Sequence, residues 1–234
     1  MPPKPISEVI FIPARSGSKR LRDKNIRLLY GRLSLTEWAV CTAVKYAKHR
    51  AARVGNLPLV VFNSDSEEYI NKVDVLNLDA VITQFRDAKL ADDTTPTLDV
   101  ILDSVKRLDL DYFAEKVNCL LWQTTNPFRR YETITNLLDR STSDKMSAVT
   151  TKELPTITKD GIVNLRTVTG NGYVFPFEKQ SNQLTASFSG LEIQHCEISH
   201  PFEAVDIDVF ADLAHARWVA DYATTRNTER FILP

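Results

Sequence analysis

Three cysteines in 234 residues, Cys41, Cys119 and Cys196, are odd in number and far apart. That excludes a disulfide framework and offers no zinc-binding spacing, so each is read as a small buried side chain in a reducing compartment. No apolar run approaches the ~20 residues that a membrane helix needs, and the amino terminus lacks a charged segment followed by a hydrophobic targeting core. A cytoplasmic protein with no membrane partner is expected. Charge of one sign is lacking too, since 29 basic side chains face 30 acidic ones for a net charge of -1. A dedicated nucleic-acid binder needs a basic excess to neutralise phosphates, so no nucleic-acid partner is expected. The chain also lacks internal repeats, low-complexity segments and a GxxxxGK[ST] motif, which excludes a P-loop NTPase.

What is there is an ordinary globular composition, 43% hydrophobic and 25% charged, long enough for one substantial core with a small appended lobe. Near-continuous apolar segments at 8–12, 57–64, 80–85, 118–123 and 146–152 read as strands. Between them, helices are expected from a capping box at Ser34 and Glu37, from the acidic start Asp65-Ser66-Glu67-Glu68, over Thr97 to Leu108, and over Tyr131 to Arg140. Such alternation predicts an α/β chain with a mostly parallel central sheet covered on both faces. Residues 154–191 carry prolines, glycines and threonines without clear periodicity, which predicts hairpins or loops forming a small lobe beside the sheet. Phe175, Phe177, Phe188 and Leu191 in that stretch suit either a subunit interface or the chain's own core.

Ligands of parallel α/β sheets bind beyond the carboxyl ends of the strands. The segment after the first strand, PARSGSKRLRDKN, has that placement and is rich in Arg and Lys. Gly17 is expected to permit a tight backbone path, and Lys19, Arg20, Arg22 and Lys24 can surround anionic oxygens. The run suits a phosphate socket, where cations offset charge on a departing pyrophosphate, or a solvated basic loop. Asp206 and Asp208, two apart, project to one side if extended, while Val205 and Ile207 project to the other. They suit Mg²⁺, or the amino-terminal dipole of a following helix. Ser64-Asp65, Asp92-Asp93 and Gln123 to Pro127 gather at the same inferred sheet edge, which favours one shared pocket.

In order along the chain, IPARSGSKRLRDKN (12–25), FNSDSEEY (62–69), RDAKLADDT (86–94), LLWQTTNPFRR (120–130) and AVDIDVFADL (204–213) resemble the motifs of CMP-N-acylneuraminate synthetases, and more distantly those of CMP-Kdo synthetases. The resemblance covers most of the chain. It implies a three-layer α/β/α nucleotidyltransferase fold with a small inserted lobe. It also implies transfer of CMP from CTP to the anomeric hydroxyl of a nonulosonic sugar acid, with Mg²⁺ as cofactor. Arg15 and Lys24 would contact phosphate oxygens and stabilise charge during transfer, with Ala14, Gly17, Ser18 and Lys19 in the same loop and Asn25 positioning the nucleotide. Arg86 and the turn holding Asp92 would border cytosine and ribose. Gln123 and Thr124 would face the acid sugar together with Asn171 and Gly172, and Asp206 and Asp208 would hold the metal, Asp208 also serving catalysis. A homodimer is implied, the lobe of one subunit bordering its neighbour's acceptor pocket.

Departures from the family pattern cluster on the acceptor side. Thr169 stands where an arginine usually binds the sugar, and Arg166 is out of register. Thr124, Asn126 and Phe128 replace proline, serine and leucine, and Asp92 stands where serine is common. Alternatives are therefore another acidic acceptor such as Kdo, a sugar phosphate or a phosphonate, or a non-catalytic nucleotide-binding relative.

Overall fold

In the computed structural model the chain runs β1 (Ile6–Pro13), β2 (Leu28–Tyr30), β3 (Leu33–Ser34), α1 (Leu35–Val54), β4 (Leu59–Ser64), α2 (Glu67–Asp74), β5 (Val81–Phe85), α3 (Thr97–Lys106), β6 (Phe113–Leu121), α4 (Tyr131–Arg140), β7 (Ser147–Thr150), β8 (Leu154–Thr158), β9 (Gly161–Leu165), β10 (Val168–Glu178), β11 (Gln183–Leu184), β12 (Gln194–Glu197) and α5 (Phe210–Thr225). The structure describes residues 4–92, 94–141, 145–152, 154–158, 161–165, 167–181, 183–184, 193–226 and 230–234. The central sheet has the order β12-β7-β10-β6-β1-β4-β5, with β11 added to β10. β1, β4, β5 and β6 pair in parallel, and β10 runs antiparallel to both β6 and β7.

The apolar strands are continuous because both sheet faces are covered. In β1, Ile10 and Ile12 enter the cluster under α1, α2 and α4, while Val9 and Phe11 enter the cluster under α3. β4 divides the same way, with Val60 and Phe62 on one face and Val61 on the other. This is the expected three-layer α/β/α arrangement. α1 begins as expected, with the Ser34 hydroxyl accepting from Glu37 N while the Glu37 carboxylate takes the Ser34 N–H. α2 starts one residue past the Ser66 cap, and α4 has the expected bounds. At the base of the sheet, buried Arg50 of α1 joins Glu8 and Asp139. Arg50→Met should cost about 3 kcal/mol in chemical denaturation, because Glu8 is left in a largely buried position without its cation.

Two expectations change. β6 begins at Phe113, five residues before the apolar run, because its first half is half-exposed and carries Glu115 and Lys116. More importantly, 154–191 does not all stand beside the sheet. β8 and β9 form a separate hairpin, but β10 lies inside the sheet, with Phe175 and Phe177 buried in the core rather than free for an interface. Its periodicity is hidden because nearly every residue from 169 to 177 is buried, including Thr169, Gly170, Asn171 and Gly172. Phe188, Leu191 and Arg166 lie outside the described residues.

The order β5-β4-β1-β6 sends the connections after β1 and β6 in opposite directions, leaving a crevice at their carboxyl ends. Open α/β sheets bind ligands at such a point.

Candidate active site

A cavity of about 490 Å³ opens there, lined by the loop after β1, the turn after β5, the start of α3, the loop after β6 and Asp208. The loop after β1 is a built structure. Asp65, just past β4, takes both the backbone N–H and the hydroxyl of Ser16 at 2.9 and 2.8 Å. Asn25 donates to the Arg15 carbonyl and accepts from the Thr124 hydroxyl, tying the loops after β1 and β6 together. A chain rich in like charges is thereby held in one shape, with Arg15, Ser18, Lys19, Arg20, Lys24 and Asn25 all on the cavity wall.

Lys24 bridges the basic loop to the distant aspartates. Its ammonium donates to the Ile207 carbonyl at 2.7 Å and to Asp208 Oδ1 at 3.2 Å. Arg20 forks onto both oxygens of Asp208 at 2.9 Å. Ile207 is fully buried in the cluster under α5, so the flanking Asp206 and Asp208 are turned the other way, as the alternation requires. The Asp206 side chain reaches solvent, yet surrounding protein makes burial the leading cause of its raised pKa. A hydrogen bond from Thr125 opposes that rise, and the nearby Asp208 carboxylate adds to it. Asp212 instead caps α5 through the N–H groups of Asp208 and Val209.

On the β5 side, Arg86 is buried, with Nε on Asn63 Oδ1 and Nη2 on the Asn63 carbonyl. Burial lowers its pKa below the ordinary guanidinium value, the Asp65 carboxylate opposes, and Arg15 adds to the lowering. Asp92 is exposed, and its Oδ1 accepts from the N–H and hydroxyl groups of Thr94 and Thr95. These bonds pull its pKa down to about 2, so it is ionised at neutral pH.

On the β6 side, Gln123 and Thr124 line the cavity. Asn126 spans the Thr169 and Val205 carbonyls, joining β10 to the aspartate segment. Below them Arg129 is wholly buried, its guanidinium 4.2 Å from the centre of the Trp122 ring and bonded to the Gln123 and Asn171 carbonyls. Burial pulls its pKa down to about 9, with Glu203 opposing. Gly170 has φ of +77°, and a Cβ there would stand 2.8 Å from Asn126 Oδ1 and 2.9 Å from Gln123 Oε1. Gly170→Ala should therefore lose about 2 kcal/mol of stability through strain. It should also displace Gln123, seen as a raised KM for the acceptor with the nucleotide KM little changed.

Of the residues selected from sequence, Arg15, Ser18, Lys19, Lys24, Asn25, Arg86, Asp92, Gln123, Thr124 and Asp208 line one cavity. Asp206 flanks it through Asp208, while Ala14 is buried behind the loop. Gly17 has no positive φ, and an added Cβ would meet nothing within 4 Å, so the loop's path does not require glycine there. Asn171 is fully buried and bonds to the Phe128 carbonyl, and Gly172 backs onto Leu137 of α4; both lie beneath the Gln123 segment rather than in the cavity wall. Thr169 turns inward to the Val149 carbonyl. Thr95 and Val100 were not selected but line the cavity, Arg20 and Thr125 were read only within the wider basic and Gln123 to Pro127 stretches, and Asp65 and Arg129 brace it. Asp65 had a signal, an acidic residue at a strand end. Arg129 had none, since one Arg among two in a row does not announce burial.

Residues 9–171 match the family model described as cytidylyltransferase. A CMP-N,N'-diacetyllegionaminic acid synthase from Legionella pneumophila is 32% identical over 129 residues, 55% of this chain and 50% of that protein. The aligned part thus spans about half the length of that relative. Among solved structures, a CMP:2-keto-3-deoxy-manno-octonic acid synthetase complexed with CTP superposes with a TM-score of 0.61 at 15% identity, covering 92% of this chain and 99% of that one. A nucleotidyl transferase from Methanothermobacter thermautotroptrophicus gives 0.58 at 12% identity, covering 94% and 99%. At such identities these structures speak for the fold, while the family model covers well over half of the sequence, including the basic loop and the Gln123 segment. The chain belongs to the cytidylyltransferase family.

Proposed function

We propose that this protein transfers CMP from CTP to the anomeric hydroxyl of a nonulosonic sugar acid, releasing pyrophosphate. The observation that carries the reading is the cavity wall itself: Arg15, Lys19, Arg20, Lys24 and Arg86 line it against two acids, Asp92 and Asp208. A cleft so charged concentrates a polyanion. The acceptor class is supported by the diacetyllegionaminic acid synthase relative.

The acceptor oxygen bonds to the α-phosphorus, the bond from that phosphorus to the bridging oxygen breaks so that pyrophosphate leaves, and the hydroxyl proton passes to solvent water. Lys24 and Arg15 stabilise charge growing on the departing pyrophosphate, with Lys19 beside them. Asp65 and Asn25 fix the backbone of the loop that carries these cations.

The residues present fit Mg²⁺. Among the described residues no group of three His, Cys, Asp or Glu side chains could hold a metal. Mg²⁺, however, usually takes only one or two carboxylates and completes its shell with water and substrate phosphate. Asp206 and Asp208 are close enough for one carboxylate to raise the other's pKa, a repulsion that a dication relieves. Bound there, the ion would supply charge neutralisation at the α-phosphate.

The test is pyrophosphate release with CTP, with and without Mg²⁺, across sialic, legionaminic, pseudaminic and Kdo-type acids. A CMP conjugate from one of the nonulosonic acids is expected, and none from any acid would sink the acceptor assignment. We include a cytoplasmic homodimer in the reading, with the β8–β9 hairpin as the lobe. Sedimentation at the chain mass of 26.5 kDa would remove the dimer.

A further inference from the structure

Arg129 lies wholly buried behind the cavity wall, and its donors serve two different elements. Nε holds the Asn171 carbonyl of β10 at 2.7 Å, Nη2 holds the Gln123 carbonyl after β6 at 2.9 Å, and the guanidinium faces the Trp122 ring. Glu203, the buried carboxylate whose charge it feels, is not bonded to it. Oε2 of Glu203 takes the Ser199 and His200 N–H groups and the Ser199 hydroxyl, and Oε1 is without a partner among the described residues. Enclosing a charge with no bonded counter-ion is costly. A neutral side chain could satisfy one of the two carbonyls at lower cost. Only a planar guanidinium offers rigidly spaced donors and a stacking face at once.

That geometry controls the Gln123 side chain. Gln123 Oε1 lies 2.9 Å from the point where a Cβ on Gly170 would stand, so the amide rests on the bare backbone of Gly170. Gly170 is pinned on both sides, because Asn126 holds the Thr169 carbonyl before it and Arg129 holds the Asn171 carbonyl after it. The other arm of the same guanidinium pins the Gln123 carbonyl. One side chain that is not itself in the cavity wall therefore sets both the backbone of Gln123 and the surface its amide rests on.

We propose that Arg129 is a positioning residue, fixing the Gln123 amide against Gly170 in the orientation that meets the sugar-acid acceptor. The inference rests on the proposed function, with Gln123 facing the acceptor, and deepens it by assigning the setting of that contact to a buried cation.

The experiment compares steady-state kinetics of wild type, Arg129→Lys, Arg129→Gln, Gln123→Ala and the double variant combining Arg129→Lys with Gln123→Ala, varying CTP and the nonulosonic acid in turn. Lysine keeps the charge without the planar fork, and glutamine keeps an N–H donor for one carbonyl while burying no charge. Each Arg129 variant should raise the acceptor KM about tenfold and leave kcat and the KM for CTP within about twofold, the pattern of lost uniform binding. Gln123→Ala should raise the acceptor KM at least as far. In the Gln123→Ala background, Arg129→Lys should change the acceptor KM by less than about twofold, because effects carried through one side chain do not add. Effects that multiply in the double variant overturn the inference, as does a KM for CTP that moves as far as the acceptor KM. Failure of both Arg129 variants to fold makes Arg129 a structural keystone and overturns it too. If wild type forms a CMP conjugate but Gln123→Ala leaves the acceptor KM unchanged, the inference falls and the proposed function stands; if wild type turns over no acid, the proposed function falls and takes the inference with it.

Discussion

Lys24→Met is expected to lower kcat for pyrophosphate release about 300-fold, the scale found when one preorganised charge-stabilising donor is removed. Methionine keeps the unbranched stem and deletes only the ammonium. Two effects compete in the variant. Lys24 has a side-chain exposure of 13% and bridges Ile207 to Asp208, so its loss relaxes the link between the basic loop and the aspartates. The stem still packs, and Asn25 and Asp65 still hold the loop. Loss of charge at the leaving group should dominate, which predicts a fall in kcat larger than the rise in the KM for CTP. A kcat within threefold of wild type would remove Lys24 from the chemistry and leave it a structural tie.

Asp208→Asn should abolish most turnover, by 100-fold or more at ordinary Mg²⁺, and move half-maximal Mg²⁺ to higher concentration. The carboxamide retains one hard oxygen and loses the charge that makes a carboxylate a strong ligand for a small dication. Stability is expected to change little. The Arg20 partner is 69% exposed and Asp208 35% exposed, and ion pairs so open to solvent contribute about 0 to 1 kcal/mol. A thermal midpoint within a few degrees of wild type, alongside lost turnover, separates a functional from a structural role. Full turnover with an unshifted Mg²⁺ dependence would take Asp208 out of the metal proposal. In this structure Arg20 and Lys24 both engage Asp208, so nucleotide and metal would have to draw those cations away as they bind.

Much of the fold was legible because burial and periodicity coincide. β1, β4 and β5 were visible as short apolar runs, α1 and α2 as capping residues ahead of helical patterns, and α4 within its observed bounds. β10 was not. It holds Gly170, Asn171, Gly172 and Pro176 in a strand buried on both faces, with its pairing to β7 shifted between Val168 and Tyr173. Those residue types signal loops when read locally. Only a bulge at a positive-φ glycine, packed against Asn126 and Gln123, gives them a place inside a sheet.

The site divides along the same line. Sequence alone determined the basic loop, the Asp206-Ile207-Asp208 spacing and the Gln123 segment, because short motifs keep their chemistry within a few residues of one another, while Arg86 was reached through the resemblance. Only the tertiary structure decided that Lys24 reaches Ile207 and Asp208 across the cavity, and that Asp65 clamps Ser16. It also decided that Asn171 and Gly172 lie beneath the Gln123 segment rather than in the cavity wall. Each of these depends on side chains distant in sequence being brought within about 3 Å, or on both faces of a strand being buried. The crossover between β1 and β6 makes those approaches, and no local pattern of residues encodes them.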